Sequence, residues 1–258
     1  MLTHSFIFLT RFGYSRERKL WEQGVVDWDG FLSRERIRFI SRHWKERYDK
    51  QILEAMRSLS IMDLSFFQRY LPKREVWRVY YSLRHNPDFR VFFLDIETDE
   101  YGNLTVISLF DGEDCKTFIR GFNLDFFLLK KLLNNASMLI TFNGSSFDIP
   151  ILKHYVRLNN NILHFDLRPL LVRLGYNMGL KEIESKLGIE RSDEVRSLRG
   201  FDALQLWKCF KRERNKECLR LLIEYNRYDA INLKPIVEFS INKILEKTLE
   251  NLDFLVIS

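Results

Sequence analysis

Cysteine is scarce in this chain: three residues in 258, at Cys115, Cys209 and Cys218. They are odd in number and no two stand as C-x-x-C, so neither a disulfide framework nor a structural zinc is expected, and a reducing cytoplasm suits the composition. Long apolar runs are also missing. None reaches the ~18 residues that cross a bilayer, so no membrane partner is expected. Residues Met1 to Leu9 are apolar but carry neither a basic n-region nor a small-residue cleavage site, and a signal peptide is not expected. No G-x-x-x-x-G-K or G-x-G-x-x-G pattern occurs, which removes the usual signs of nucleotide-driven chemistry. There is no internal repeat and no low-complexity segment. His4, His43, His85 and His154 stand without partner spacing.

What is present describes a globular protein, 46% hydrophobic and 29% charged. Its length suits one medium domain beside a smaller one. Net charge is +6, and its distribution is uneven. Residues 1–89 hold 17 Lys and Arg against 11 Asp and Glu, while the remainder holds 24 of each. The excess therefore sits in the first third, where contact with a polyanion is expected.

Residues 10–32 read as a short helical hairpin. Phe12-Gly13-Tyr14-Ser15 is expected to make a tight turn, Gly24 a helix C-cap, and Asp27-Trp28-Asp29 the start of a second helix. The segment resembles a helix-hairpin-helix element in which Ser15 replaces the second glycine. Its basic run, Arg16, Arg18 and Lys19, is a candidate contact to a nucleic-acid backbone. Helix continues through residues 33–81, with aromatic stripes that read as core, and Asn86-Pro87-Asp88 marks a linker. The expected domains are thus a helical region, 1–86, and a second domain, 87–258. From Arg90 the period changes to strands: Val91 to Thr98, Leu104 to Phe110 and Cys115 to Ile119, then Met138 to Phe142 and Ile162 to Phe165 alternating with helices. The remainder reads as helical, including one long stretch over 215–247 with a kink expected before Pro235. The fold class is α/β: a mixed sheet flanked by helices, preceded by a smaller all-helical region.

Asp95 and Glu97 stand two apart at the end of the first of these strands, so both project from one face. Two adjacent anions repel, and a divalent cation held by oxygen ligands, Mg²⁺ or Mn²⁺, removes the difficulty. Asp148 opens a helix just after the fourth strand. Tyr225 and Asp229 lie four apart on one helical face. His164 and Asp166 read as structural residues, and Lys211-Arg212-Glu213-Arg214 as a solvated turn.

These segments together resemble the DEDD superfamily of 3′→5′ exonucleases with the ribonuclease-H-like fold, in the subclass with a Tyr four residues before the last Asp. The matching motifs are Asp95-Ile96-Glu97, then Thr141-Phe142-Asn143 with Phe147-Asp148, then Tyr225-x-x-x-Asp229, across roughly 90–237. Ile140-Thr141-Phe142-Asn143-Gly144, His164-Phe165-Asp166-Leu167 and Leu180-Lys181-Glu182-Ile183-Glu184 resemble the YprB-like branch. The resemblance implies phosphodiester hydrolysis with two Mg²⁺ or Mn²⁺ ions per site. One ion would be held by Asp95, Glu97 and Asp229, the other by Asp95, with Asp148 reaching it through water. Tyr225 would orient the attacking water, while Asn143 and Phe147 would position the terminal nucleotide. The partner implied is single-stranded DNA, or RNA as second choice, and the sequence leaves self-association open. A structure-specific endonuclease on the same fold and a non-catalytic nucleic-acid-binding module are the alternatives.

Overall fold

In the computed structural model, residues 1–249 are described; the last nine residues of the second expected domain lie outside the described residues. The chain divides into two compact units, one built on residues 1–89 with 160–163 and 248–249, the other on 90–159 and 164–247.

The first unit is helical: α1 (Tyr14–Trp21), α2 (Trp28–Leu32), α3 (Arg42–Ser60), α4 (Ser65–Tyr70) and α5 (Trp77–Leu83). Sequence reading placed α1 and α2 nearly correctly and misplaced the turn. Gly13 is the extended residue that precedes α1, and residues 2–12 form successive short turns rather than a helix. No helix–turn–helix is therefore centred on Phe12-Gly13-Tyr14-Ser15. The bend between the helices is at Gly24, whose φ is +72°, followed by Asp27, whose side chain accepts from the Gly30 N–H. Residues 33–41, read as helix, form an irregular loop. The unit closes over an aromatic core that includes Phe8, Trp28 and Phe67.

One buried ionic group runs through that core. The Arg78 guanidinium donates to Glu75 at 2.8 Å and to Glu17 at 3.2 Å. Glu17 also accepts from the Phe6 N–H and the Ser5 hydroxyl, and Tyr14 donates to Glu75.

The second unit is the expected mixed sheet flanked by helices. Its strands are β1 (Val91–Thr98), β2 (Leu104–Phe110), β3 (Cys115–Ile119), β4 (Met138–Thr141) and β5 (Leu163–Asp166), in the order β3-β2-β1-β4-β5. β1 runs antiparallel to β2 and parallel to β4. Between and after the strands lie α6 (Phe126–Asn134), α7 (Asp148–Tyr155), α8 (Leu167–Arg173), α9 (Leu180–Leu187), α10 (Asp193–Arg196), α11 (Gly200–Glu213), α12 (Lys216–Ile231) and α13 (Leu233–Leu249). The expected helical stretch over 215–247 is two helices that meet at Asn232, three residues before Pro235, where a kink was expected. α12 packs on β1 and β2, with Leu222, Tyr225, Trp207 and Val106 in one cluster.

A second correction concerns cysteine. Cys209 and Cys218 form a disulfide, leaving Cys115 free. Arg214 in the left-handed region ends α11, and Asn215 caps α12; the resulting hairpin brings residues nine apart side by side. A count of spacings along the chain does not show this, and the argument for a reducing compartment loses its basis. No helix among the described residues is long and apolar enough to cross a membrane.

Candidate active site

β1 is central in the sheet and its side chains alternate, so Asp95 and Glu97 share a face while Leu94 and Ile96 are buried on the other. Asp95 lies opposite Ser108 and Glu97 opposite Val106, and the register shifts just after Glu97. α12 lies against this strand and contributes Asp229. One carboxylate oxygen from each of Asp95, Glu97 and Asp229 lies within 4.8 Å of the others.

Asp148 reaches the same strand from another direction. It is buried at the first position of α7 and accepts the Ile96 N–H at 3.1 Å. The loop that delivers it is tightly determined. Asn143 has φ +64°, a conformation asparagine tolerates better than most residues. Asp166 accepts from the backbone N–H groups of Asn143 and Ser145 at 2.8 and 3.0 Å. A Cβ on Gly144 would stand 2.1 Å from the Thr141 hydroxyl, so only glycine fits there. Asp166 is structural, as expected, and His164 bonds to Thr141 at 2.8 Å.

Crowding four carboxylates shapes their proton affinity. Burial, and then repulsion from Asp229 and Asp148, holds the Asp95 and Glu97 pKa values well above the usual range. Burial also raises Asp148, to about 7, against the opposing hydrogen bond from Ile96. Asp229 is likewise raised by burial, with Arg191 pulling the other way. Tyr225, 5% exposed, is pushed upward by burial and by the charges of Asp229, Glu97 and Asp95. The donor set is hard oxygen, convergent and short of compensating cations, so it fits Mg²⁺ or Mn²⁺.

Three residues at this site carried no role in the sequence reading. The Asn226 amide, fully buried, donates to Oδ2 of Asp95 at 2.7 Å. Arg191 holds Glu184 through two bonds of 2.6 Å and donates to Asp229 as well. Gly188, left-handed at the end of α9, turns the chain so that Arg191 returns to Glu184. Lys181 lies 4.4 Å from the centroid of the Tyr225 ring, its amine without a hydrogen-bond partner among the described residues. Burial and the Arg191 charge lower its pKa to about 8. Neither the helical neighbour of Tyr225 nor a loop arginine among other charges carried a spacing that pointed to the site.

A cleft of about 390 Å³ opens over Asp95, Glu97 and Asp148, and Asn143, Phe147 and Phe201 line it too. Phe147 is 41% and Phe201 70% exposed. The Asn143 side-chain oxygen accepts from Arg168 at 2.9 Å, which leaves its amide hydrogens toward other partners. The remaining expected contacts, Arg16, Arg18 and Lys19, stand exposed on α1 in the first unit.

With that geometry in view, comparison with known proteins gives one family. The model describing the RNase H superfamily matches residues 92–240, a span that contains every carboxylate of the cluster. No curated protein matches the chain.

Proposed function

The chain belongs to the RNase H superfamily, and from that premise we propose that it is a 3′→5′ exonuclease of the Tyr-containing DEDD type, closest to the YprB-like branch. Nucleases of the superfamily act on nucleic acids with divalent metal ions. The substrate proposed here is single-stranded, DNA before RNA. Chemistry is assigned to residues 87–258, and the basic helical region 1–86 is assigned to grip. The observation that carries the reading is the meeting of Asp95, Glu97 and Asp229 within 4.8 Å, with Asp148 of α7 bonded to the Ile96 N–H of the same strand as Asp95 and Glu97.

Asp95, Glu97 and Asp229 would hold one ion, and Asp95 with Asp148 a second. When bound, Mg²⁺ or Mn²⁺ supplies Lewis acidity to the phosphodiester and lowers the pKa of the attacking water. In the metal-free protein burial and the charges of Asp229, Glu97 and Asp95 disfavour the Tyr225 phenolate, and the hydroxyl would orient that water by hydrogen bonding. Asn143 offers its amide hydrogens to the terminal nucleotide. The exposed rings of Phe147 and Phe201 give that base a surface to stack on. Water adds at phosphorus, the preceding 3′ oxygen leaves with a proton, and a mononucleotide departs.

Digestion of 5′-labelled single- and double-stranded DNA and RNA in Mg²⁺, Mn²⁺ or EDTA tests this. The single strand should shorten one nucleotide at a time, only with metal, and Asp95→Ala should abolish it. A single internal cut would transfer the reading to the endonuclease alternative, and no cleavage of any substrate would refute it.

A further inference from the structure

The excess positive charge lies in residues 1–89, and three of those arginines fall on the loop of residues 33–41 between α2 and α3. Arg34 is committed, donating to the carbonyls of Gln23 and Gly24 at 2.9 and 3.3 Å. Arg36 and Arg38 are exposed and have no ion-pair partner among the described residues. Both line a groove of about 880 Å³. Ile40 separates this groove from a smaller cavity of about 150 Å³, walled by Phe12, Phe39, Trp44 and Tyr48 with Arg11 and Arg16. Its wall is part aromatic and part cationic, and a volume of about 150 Å³ is enough for one six-membered ring.

Phe39 makes this more than a charged loop. The Ile40 N–H closes a turn onto the Ile37 carbonyl at 3.1 Å, and Phe39, third in that turn, has φ +71°. That position ordinarily falls to glycine or asparagine, and a bulky residue there is strained. Yet the ring is 44% exposed, so core packing does not offset the strain. Beside it Trp44 and Tyr48 stack with centroids 5.3 Å apart, and the Arg47 guanidinium lies 5.4 Å from the Trp44 ring centroid.

We propose that the first unit carries a second nucleic-acid site: Arg36 and Arg38 receive phosphates of a single strand along the groove, and one unstacked base enters beside Phe39 and Trp44. Sequence-tolerant single-strand binding combines these two elements, a cationic track and aromatic faces. A duplex keeps its bases stacked and would leave the aromatic cavity empty. The identity of the polyanion rests on the nuclease reading; the groove and the strained ring do not.

The test uses the full chain in EDTA, so that nothing is cleaved, and a fluorescein-labelled oligothymidine followed by anisotropy at several salt concentrations. Arg36→Ala with Arg38→Ala should weaken binding at least tenfold and reduce the slope of log K against log salt by about 1.4, about 0.7 for each phosphate no longer neutralised. Phe39→Gly should weaken binding at least about fivefold with the slope unchanged. Its melting temperature should hold or rise, since glycine accepts the left-handed turn. Unchanged affinity and slope in the arginine variant overturn the proposal, as does equally tight binding of blunt duplex or of polyglutamate. Hydrolysis in Mg²⁺, measured alongside, separates the two readings. Cleavage with unaltered affinity in the variants removes this site and keeps the nuclease. Binding lost in the variants of a protein that never cleaves does the reverse.

Discussion

An Asp95 carboxylate oxygen lies near those of Glu97 and Asp229, and the Asn226 amide donates to Asp95 Oδ2. A ligand carboxylate held in this way keeps its orientation, and removing such a supporting partner typically costs 10–100-fold in metal affinity or activity. Asn226→Ala should therefore lower kcat and Mn²⁺ affinity by about that factor. It should also cost about 1.5–3 kcal/mol of stability, the range for a hydrogen bond to a charged group. Melting and Mn²⁺ titration check both; wild-type Mn²⁺ affinity in this variant would remove the supporting role. At this scale the sequence was legible where a period carries the signal. The spacing of two places Asp95 and Glu97 on one strand face, and the spacing of four places Tyr225 and Asp229 on one helix face. Asn226 and Arg191 have no such period. A buried amide and a buried guanidinium look like surface residues until their partners, 131 and 38 positions away, are in place.

At the scale of elements, the link from β4 to α7 decides where Asp148 stands. Its shape depends on a left-handed Asn143, on two N–H bonds to Asp166, and on the absence of a side chain at Gly144. Thr141, whose hydroxyl a Cβ at Gly144 would strike, is fully buried, so it has little room to yield. Gly144→Ala should lower the melting temperature, with a cost of about 1–3 kcal/mol as for overpacking, and reduce kcat through displacement of Asp148. Thermal melting and single-turnover hydrolysis check this, and a variant with wild-type values for both would show the loop to be compliant. The Asn143-Gly144 pair was readable as a turn, but its dependence on Asp166 was not. The reading of continuous helix over 33–81 missed the loop of residues 33–41. The misplaced turn at Gly13 has a plain cause: a glycine can precede a helix in extended conformation as easily as it can form a bend. The Cys209–Cys218 bridge followed from a helix hairpin whose geometry no cysteine spacing announces.

For the molecule as a whole, the two units hold buried charge differently. In the first, Glu17 and Glu75 share one arginine; in the second, four carboxylates converge with Arg191 paired to one of them. That second arrangement carries a pH signature in the metal-free protein. A carboxyl group whose folded pKa lies above its unfolded value favours the folded state while protonated, and the benefit is lost as pH rises. For Asp148 the window runs from about 4 in the unfolded chain to about 7 in the folded one, and Asp95 and Glu97 act in the same direction. Each unit of difference is worth about 1.4 kcal/mol. In EDTA the melting temperature should fall from about pH 4 to about pH 7, Asp148→Asn should reduce that fall, and Mn²⁺ should restore stability most at the higher pH. A flat EDTA profile would contradict the assigned burden of buried acid.

The central claim is that Asp95, Glu97, Asp148 and Asp229 form one pocket for divalent cations. Anomalous diffraction from crystals soaked in Mn²⁺ addresses it directly. The account predicts two peaks in the cleft, one among Asp95, Glu97 and Asp229 and one between Asp95 and Asp148. Mn²⁺ bound elsewhere, with these four side chains left without metal in a protein that still hydrolyses DNA, would contradict it.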